Sequence, residues 1–201
     1  MKSQFSFFIG FVLAGLFGLL PLSAHAIYLS ESGDKATLVG SIDPGDEKAF
    51  AEFLARPRAR PLRVIYLDSY GGAVLAGIAI GRLIRKAGLS TAVDATANRC
   101  VSSCTLIFAG GVKRYNIHGE KIIEGYESLS GLGYHGASLK SNAINFGLAS
   151  DKGNELMANF YAEMGAPGTA AMLAKGRGGS IYRPSGANSL ALRIATSLGE
   201  P

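Results

Sequence analysis

The feature that most restricts the fold is a continuous apolar run at 64–67, followed by a Gly-Gly turn and a long apolar helix predicted over 73–87. A short apolar run bounded by turn residues is typical of a strand that is buried on both faces. Arg82, Arg85 and Lys86 gather at the C-terminal end of the predicted helix, where cations suit the negative end of the helix dipole. The pattern therefore predicts a parallel strand and the helix that covers it.

The same alternation of strand and helix continues on both sides of this segment. Further strands are predicted over 36–42 and 91–93, and further helices are predicted after a cap at Asp43 or Asp46 and over 102–108, 141–164 and 187–198. Strands that alternate with helices indicate an α/β fold with a mostly parallel sheet and flanking helices. The 201 residues show no internal repeat and have the length of one such domain.

The N-terminal segment has the features of a secretory signal peptide. Lys2 is the one charge before an apolar stretch at 5–22, and Ala24-His25-Ala26 supplies the small-x-small pattern of a cleavage site. The alternative is an uncleaved membrane anchor, although three glycines and Pro21 interrupt the stretch. We predict cleavage after Ala26, which leaves a single domain at 27–201. The protein is then periplasmic or secreted, in a compartment without ATP where thiols can be oxidised.

Composition excludes several classes of function. Hydrophobic residues make up 48% and charged residues 17% of the chain, which excludes intrinsic disorder. The net charge of +5 is scattered and forms no basic run, so we expect no nucleic-acid partner. The cysteines and histidines lack the spacing of a zinc site, and we expect no metal and no cofactor.

The first candidate site is the Gly71-Gly72 turn, at the carboxyl end of the buried strand. Ligands of open α/β sheets bind at this edge. Glycines let the backbone approach a substrate closely, and their free N–H groups can hold the oxyanion of an acyl-transfer intermediate. The alternative is a tight turn between strand and helix that binds nothing.

The second candidate site is the segment at 100–104, which contains Ser102 and Ser103 between two cysteines. A serine at the first turn of a helix lies near positive partial charge, and the N–H of the next residue can point at an oxyanion. A nucleophilic serine also needs a base, and beyond the signal peptide the histidines are His118 and His135. The alternative is that Ser102 or Ser103 caps the helix.

Together, these segments resemble the Clp protease proteolytic subunit family, within the crotonase-like superfamily. The run at 64–80 carries the strand, turn and helix of that family, with matches at Ser69, Gly71, Gly72 and Gly77. Asp68 and Tyr70 replace the asparagine and proline of the family pattern. The run at 101–115 matches the nucleophile segment and a following Lys-Arg-Tyr. Exported relatives with a Cys-x-Ser-x-Cys motif are the most similar.

The resemblance implies a role for each matched residue. Ser102 corresponds to the nucleophile, and the N–H groups of Gly72, with Gly71, and of Ser103 correspond to the oxyanion donors. The family has roughly eleven residues between the arginine of the Lys-Arg-Tyr and its histidine. The four residues from Arg114 to His118 are too few. Those to His135 fit if 120–133 is an insertion, so the resemblance favours His135 as the base.

The third member of the family's triad is missing from its usual place. In the family an aspartate follows the long helix, but this chain has no Asp or Glu between Glu163 and Glu200. Loss of the carboxylate that orients the histidine can reduce the rate by several orders of magnitude. A Ser-His dyad, a carboxylate from elsewhere such as Asp151 or Glu155, and an inactive descendant all stay open.

The two cysteines flank the candidate nucleophile four residues apart. One helical turn would place their α-carbons about 6 Å apart, within the range of a disulfide. We predict that Cys100 and Cys104 are bridged in an oxidising compartment. The alternative is that two small side chains are packed under the helix.

These observations lead to three hypotheses of different classes. The first is an exported serine peptidase that acts on a peptide or protein substrate without an ATPase partner. The second is an inactive Clp-fold protein that serves in binding or assembly. The third is a crotonase-type thioester enzyme, although coenzyme A is not expected outside the cytoplasm. The family assembles into rings through its longer helix, so the resemblance implies a homo-oligomer, with a monomer as the alternative.

Overall fold

The computed structural model describes residues 27–138, 150–176 and 180–201. The described strands are β1 (Ile27–Ser32), β2 (Lys35–Gly40), β3 (Val64–Asp68), β4 (Ser90–Asp94), β5 (Arg99–Val101), β6 (Arg114–Ile117) and β7 (Gly131–Gly133). The described α-helices are α1 (Asp46–Ala55), α2 (Val74–Lys86), α3 (Cys104–Gly110), α4 (Asp151–Glu163), α5 (Ala170–Lys175) and α6 (Gly186–Ala191).

The main sheet has five strands in the order β1-β2-β3-β4-β6. The β1–β2 pair is antiparallel, and the other three pairs are parallel. Helices flank this sheet, so the predicted α/β class with a mostly parallel sheet is confirmed. The strand order could be expected from the sequence. Each apolar strand, at 64–67 and at 91–93, is followed by a helical segment that carries the chain back, so that the next strand runs parallel to the last one.

A second, two-stranded sheet lies at the carboxyl end of β3. Strands β5 and β7 pair in parallel, with Val101 opposite Gly133. Ser69, directly after β3, forms a bridge with Cys100, and the Ser69 N–H donates to the Arg99 carbonyl. This small sheet therefore continues the main sheet at the edge where ligands bind in α/β folds.

Helices α2 and α3 pack through backbone contact. A Cβ added to Gly110 would lie 2.3 Å from the Gly81 carbonyl oxygen, and one added to Gly77 would lie 2.8 Å from the Ser103 carbonyl oxygen. Both distances are shorter than a side chain can occupy, so the two helices approach as closely as their backbones allow. This contact fixes the start of α3 against the middle of α2.

Arg82 and Arg85, near the C-terminal end of α2, bind groups on other helices in addition to interacting with the dipole of α2. The Arg85 guanidinium donates to the carbonyls of Ala109, Gly110 and Gly111 at the end of α3, and to the Met164 carbonyl at the end of α4. Arg82 forms a two-pronged ion pair with Glu163. The C-terminal ends of α3 and α4 are thus tied to α2.

Several predicted boundaries differ from the structure. Helix α1 begins after Gly45, and neither Asp43 nor Asp46 is its cap, because the Asp46 carboxylate instead accepts the Asp43 N–H. Helix α6 ends at Ala191, well before the predicted 198, because Arg193 has a φ of 56° and the chain then runs beside β6. The N-terminal part of the helix predicted over 141–164 falls partly outside the described residues.

Within the described ranges, no helix is long and apolar enough to cross a membrane. The predicted signal peptide at 1–26 lies outside the described residues.

Candidate active site

Ser102 occupies a strained turn between β5 and α3. Its φ is 58°, in the left-handed region that non-glycine residues avoid at a cost of about 1–2 kcal/mol. The Ser102 N–H donates to the Gly133 carbonyl at 3.0 Å, which holds the turn against the end of β7. A serine on a sharp strand-to-helix turn is the arrangement that exposes a nucleophilic hydroxyl.

Ser103 occupies the N-cap position of α3, but its side chain makes no capping hydrogen bond. Its buried hydroxyl has no partner within the described part of the chain, and none of the described groups bonds to the Ser102 hydroxyl. The alternative that Ser103 caps the helix therefore holds for its position, but without the side-chain hydrogen bond that makes serine a favoured cap.

The Gly-Gly turn packs directly against the serine turn. A Cβ on Gly71 would lie 2.5 Å from the Val101 carbonyl oxygen and 2.9 Å from the Ser103 nitrogen, and Gly71 has a φ of 89°. A Cβ on Gly72 would lie 2.1 Å from the Ile42 carbonyl oxygen. The Gly-Gly turn can therefore pack this closely against its neighbours only if both positions are glycine.

Two of the three predicted oxyanion donors have free N–H groups. In the described ranges, the N–H groups of Gly72 and Ser103 have no hydrogen-bond partner. The Gly71 N–H instead donates to the Ser69 hydroxyl at 3.0 Å. Gly72 is exposed, whereas Ser103 is fully buried. Gly72 and Ser103 are therefore the two predicted donors whose N–H groups are not used by the described part of the fold.

A disulfide joins Cys100 to Cys104, with their α-carbons 5.1 Å apart, as predicted. The reason differs from the expected helical turn, because Cys100 lies in β5 and Cys104 begins α3. The bridge thus closes a five-residue loop around the Ser102 turn. Both cysteines are fully buried.

His135 follows β7 by two residues and is half-buried. Because β5 and β7 are parallel and Val101 is opposite Gly133, Ser102 and His135 leave the small sheet at the same edge. The Nδ1 atom of His135 lies 2.8 Å from the Gly136 carbonyl oxygen. A carbonyl can only accept, so this contact assigns the proton to Nδ1 and leaves Nε2 as a proton acceptor.

His118 lies at the end of β6 and is paired with a carboxylate. Its Nδ1 is 3.2 Å from Asp94 Oδ1. The Thr96 hydroxyl donates to the same oxygen, and these hydrogen bonds, that of Thr96 first, lower the pKa of Asp94. Within the described ranges, a histidine–carboxylate pair is therefore present at His118, and none is present at His135.

The two carboxylates considered as substitutes for the missing aspartate are Asp151 and Glu155. Both are exposed on α4, and within the described ranges no hydrogen bond or ion pair joins either of them to the His135 ring. Asn154, which sequence reasoning missed, accepts the Ala137 N–H at 2.7 Å and anchors the backbone just after His135. Nothing in the sequence around Asn154 indicates that its side chain binds the backbone at Ala137.

Arg183 is a buried arginine that lies against the end of β7. It is 3% exposed, and its guanidinium donates to the carbonyls of Ser128, Leu129 and Gly131. Burial lowers the pKa of this guanidinium. A Cβ on Gly133 would lie 2.6 Å from Arg183 Nη1. The arginine thus ties the 128–131 loop to the end of β7, beside the serine turn.

No group of three or more His, Cys, Asp or Glu side chains that could hold a metal ion is present in the described ranges.

Solved structures of the same fold include a mutant of the 1510-N membrane-bound stomatin-specific protease, with a TM-score of 0.55 and 13% identity over 80% of this chain and 76% of that chain. The ClpP protease catalytic domain from Plasmodium falciparum has a TM-score of 0.49 at 12% identity, over 84% and 83% of the two chains. An enoyl-CoA hydratase from Thermoplasma volcanium has a TM-score of 0.48 at 15% identity, over 89% and 73%. No protein-family model matches the sequence, and no curated protein matches it significantly. The first likeness shows a peptidase-like fold.

Proposed function

We propose that this protein is an exported serine peptidase that hydrolyses peptide bonds without an ATPase partner. The observation that carries the proposal is the strained Ser102 turn, packed against a Gly-Gly turn and flanked by the unpaired N–H groups of Gly72 and Ser103. A strained residue persists only where its surroundings hold it, and such residues cluster at active sites. The peptidase-like fold of the chain supports the same interpretation.

In the proposed reaction, Ser102 Oγ attacks the carbonyl carbon of the scissile peptide bond, and His135 Nε2 takes the hydroxyl proton. The negative charge on the carbonyl oxygen is held by the N–H groups of Gly72 and Ser103. When the carbon–nitrogen bond breaks, His135 returns its proton to the leaving amine. Water then hydrolyses the acyl-enzyme, with His135 taking one water proton and returning a proton to Ser102.

The Gly136 carbonyl takes the orienting role of the missing carboxylate in this proposal. It accepts a hydrogen bond from the His135 Nδ1–H group and so selects the tautomer that a general base needs, with Nε2 unprotonated. A neutral carbonyl stabilises the imidazolium less than a carboxylate does. We therefore expect a slower enzyme than one with a full triad, where loss of the carboxylate function costs about 10⁴-fold in rate.

The organisation of the chain is part of the same proposal. Residues 1–26 act as a signal peptide and 27–201 form the mature domain, in a compartment that maintains the disulfide. The resemblance to a ring-forming family supports a homo-oligomer. Light scattering of the protein in solution measures its mass, and a monomeric mass would contradict the assembly.

The second candidate function is a binding or assembly protein that has kept the fold. Two observations favour it: no described carboxylate forms a hydrogen bond or ion pair with His135, and Ser103, one of the proposed oxyanion donors, is fully buried. Peptide binding beside the serine turn would need the Gly-Gly turn and not the serine hydroxyl.

A fluorophosphonate probe, which reacts with activated serines, separates the two functions. Labelling of the purified protein at Ser102, abolished in Ser102→Ala, is the expected result. Ser189→Ala on α6 is the matched control, since Ser189 has a buried hydroxyl without a partner among the described residues. No labelling of the wild-type protein in any assembly state would favour binding, and equal labelling of Ser102→Ala would exclude Ser102 as the nucleophile.

A further inference from the structure

A buried hydroxyl relay connects the serine turn to α4. Thr105, in the first turn of α3, places its Oγ1 atom 2.5 Å from the Ser102 carbonyl oxygen and 2.7 Å from the Tyr161 hydroxyl. Thr105 is 1% exposed and Tyr161 is fully buried on α4. Thr105 lies within the matched run at 101–115 but has no assigned role there, and Tyr161 lies outside both matched runs.

The direction of each hydrogen bond in this relay is fixed by chemistry. The Ser102 carbonyl can only accept, so the single Thr105 hydroxyl proton goes to it. Tyr161 must then donate its own proton to Thr105 Oγ1. Burial raises the pKa of Tyr161 far above neutrality, so the phenol keeps the proton that it donates.

The Ser102 carbonyl receives two hydrogen bonds from the same residue. The Thr105 N–H donates to it at 2.9 Å, in addition to the Thr105 hydroxyl. Both bonds act on the peptide unit that joins Ser102 to Ser103. Since that unit is planar and trans, its C=O and N–H groups point in opposite directions. Holding the Ser102 oxygen therefore also sets the direction of the Ser103 N–H.

We propose that Thr105 and Tyr161 are positioning residues that direct the Ser103 N–H towards the oxyanion of the substrate. This inference rests on the proposed function, in which that N–H is one of two donors. Preorganised donors are effective because they need no reorganisation as charge develops, and small errors in direction weaken them steeply. The relay also makes the position of α4 part of the active site.

The chain contains a matched control for a purely structural role. At the other end of α3, the Thr91 hydroxyl donates to the Phe108 carbonyl at 2.7 Å, and Thr91 is also fully buried. The two threonines thus make the same kind of bond to a helix-terminal carbonyl. Only Thr105 bonds to the peptide unit of the serine turn.

The first measurement is the rate of fluorophosphonate labelling at saturating probe, together with the probe concentration at half-saturation. We expect Thr105→Val to lower the saturated rate about tenfold or more, with little change in half-saturation. Thr105→Ser keeps the hydroxyl and should restore the rate, whereas Tyr161→Phe should lower it a few-fold. Thr91→Val should lower the denaturation midpoint as much as Thr105→Val but leave the rate unchanged.

The second measurement does not depend on activity. The NMR signal of the Ser103 amide should shift, and its hydrogen exchange should accelerate, in Thr105→Val and not in Thr105→Ser or Thr91→Val. If the wild-type protein is not labelled, the proposed peptidase function fails while this measurement still tests the relay. An unchanged Ser103 amide in Thr105→Val, or equal labelling rates in Thr105→Val and wild type, would overturn the inference.

Discussion

Two histidines follow strands at the carboxyl edges of the two sheets, and each has a partner that the other lacks. His118, after β6, is paired with Asp94. His135, after β7, leaves the sheet beside Ser102, but its ring faces the Gly136 carbonyl. The structure thus has a histidine paired with a carboxylate at one sheet, and a histidine beside a serine at the other. Under the proposed function, the base is needed beside Ser102, so a histidine–carboxylate pair does not by itself identify the catalytic site.

The two regions are held in place by the same device. Arg114, in β6, is buried and donates to the carbonyls of Gly111, Arg193 and Ile194. Arg183 holds the loop before β7 through three carbonyls in the same way. A buried guanidinium therefore holds the backbone near each histidine. The two regions differ in the hydrogen-bond partner of the histidine more than in how their backbone is held.

The largest expected effect comes from removing each histidine in turn. His135→Ala should lower fluorophosphonate labelling of Ser102 about 10²–10⁴-fold, which is the usual contribution of a general base. His118→Ala should leave labelling within a factor of two, because the His118 ring is paired with Asp94 instead. Labelling rates at several pH values give the comparison, and a loss in His118→Ala alone would reverse the assignment of the base.

The next effect concerns the two buried arginines. Arg183→Met and Arg114→Met each remove three hydrogen bonds to backbone carbonyls, although the Gly111 carbonyl keeps its bond from Arg85 in Arg114→Met, so we expect each to lower the free energy of unfolding by about 3 kcal/mol. Denaturant titrations measure this loss. At temperatures where both variants remain folded, only Arg183→Met should reduce labelling, since Arg183 contacts the end of β7. Equal labelling of the two variants would remove the link between Arg183 and the site.

A smaller effect is expected from the disulfide. The Cys100–Cys104 bridge closes a loop of five residues, for which chain entropy predicts about 2 kcal/mol of stabilisation. Replacing both cysteines with alanine should lower stability by that amount and reduce labelling as well, because the bridge encloses the Ser102 turn. Mass spectrometry of the exported protein tests the premise, and two free thiols there would contradict it.

The smallest effect is a pH dependence near β7. The Glu124 carboxylate accepts hydrogen bonds from Tyr182, Ser185 and Asn188, and the Tyr182 bond is the main reason that its pKa falls to about 2. A lowered pKa stabilises the folded state above the unfolded value near 4.5, and this contribution disappears as the pH falls towards 2. Because Glu124 is exposed, we expect less than about 1 kcal/mol.

Urea titrations of the wild-type protein and Glu124→Gln at pH 7, 4 and 2.5 measure that contribution. The difference between them should shrink as the pH falls. Glu127→Gln, an exposed carboxylate on the same loop, is the matched control and should show no such trend. A constant difference at all three pH values would contradict the ionic origin of the stabilisation.

Much of the fold is predictable because its signals are local. The apolar run of β3, the glycines after it and the apolar face of α2 are contiguous in sequence, and the structure places them as expected. Strand β5 was not predictable, because Arg99-Cys100-Val101 is too short to show a period and is ordered by its pairing with β7. The early end of α6 was missed for a similar reason, since the pairing with β6 replaces helical hydrogen bonds.

The site divides in the same way. Ser102, Gly71 and Gly72 were predicted as site residues because they lie in contiguous motifs that resemble a known family. The partner of His135 was not, since a backbone carbonyl has no signature in the sequence. The buried hydroxyls of Thr105 and Tyr161 are 56 residues apart, and only packing of α4 on α3 brings them together.

Gly81 and Gly110 restrict which sequences can evolve within this architecture. The atoms that a new side chain on Gly110 would meet are backbone atoms of Gly81, so no rotamer change could relieve the overlap. A larger residue would displace α3 and the serine turn at its start. Natural variation should therefore retain both glycines even in descendants that lose Ser102 and survive as binding proteins. Among diverging relatives, we therefore expect Gly81 and Gly110 to stay unchanged for longer than Ser102.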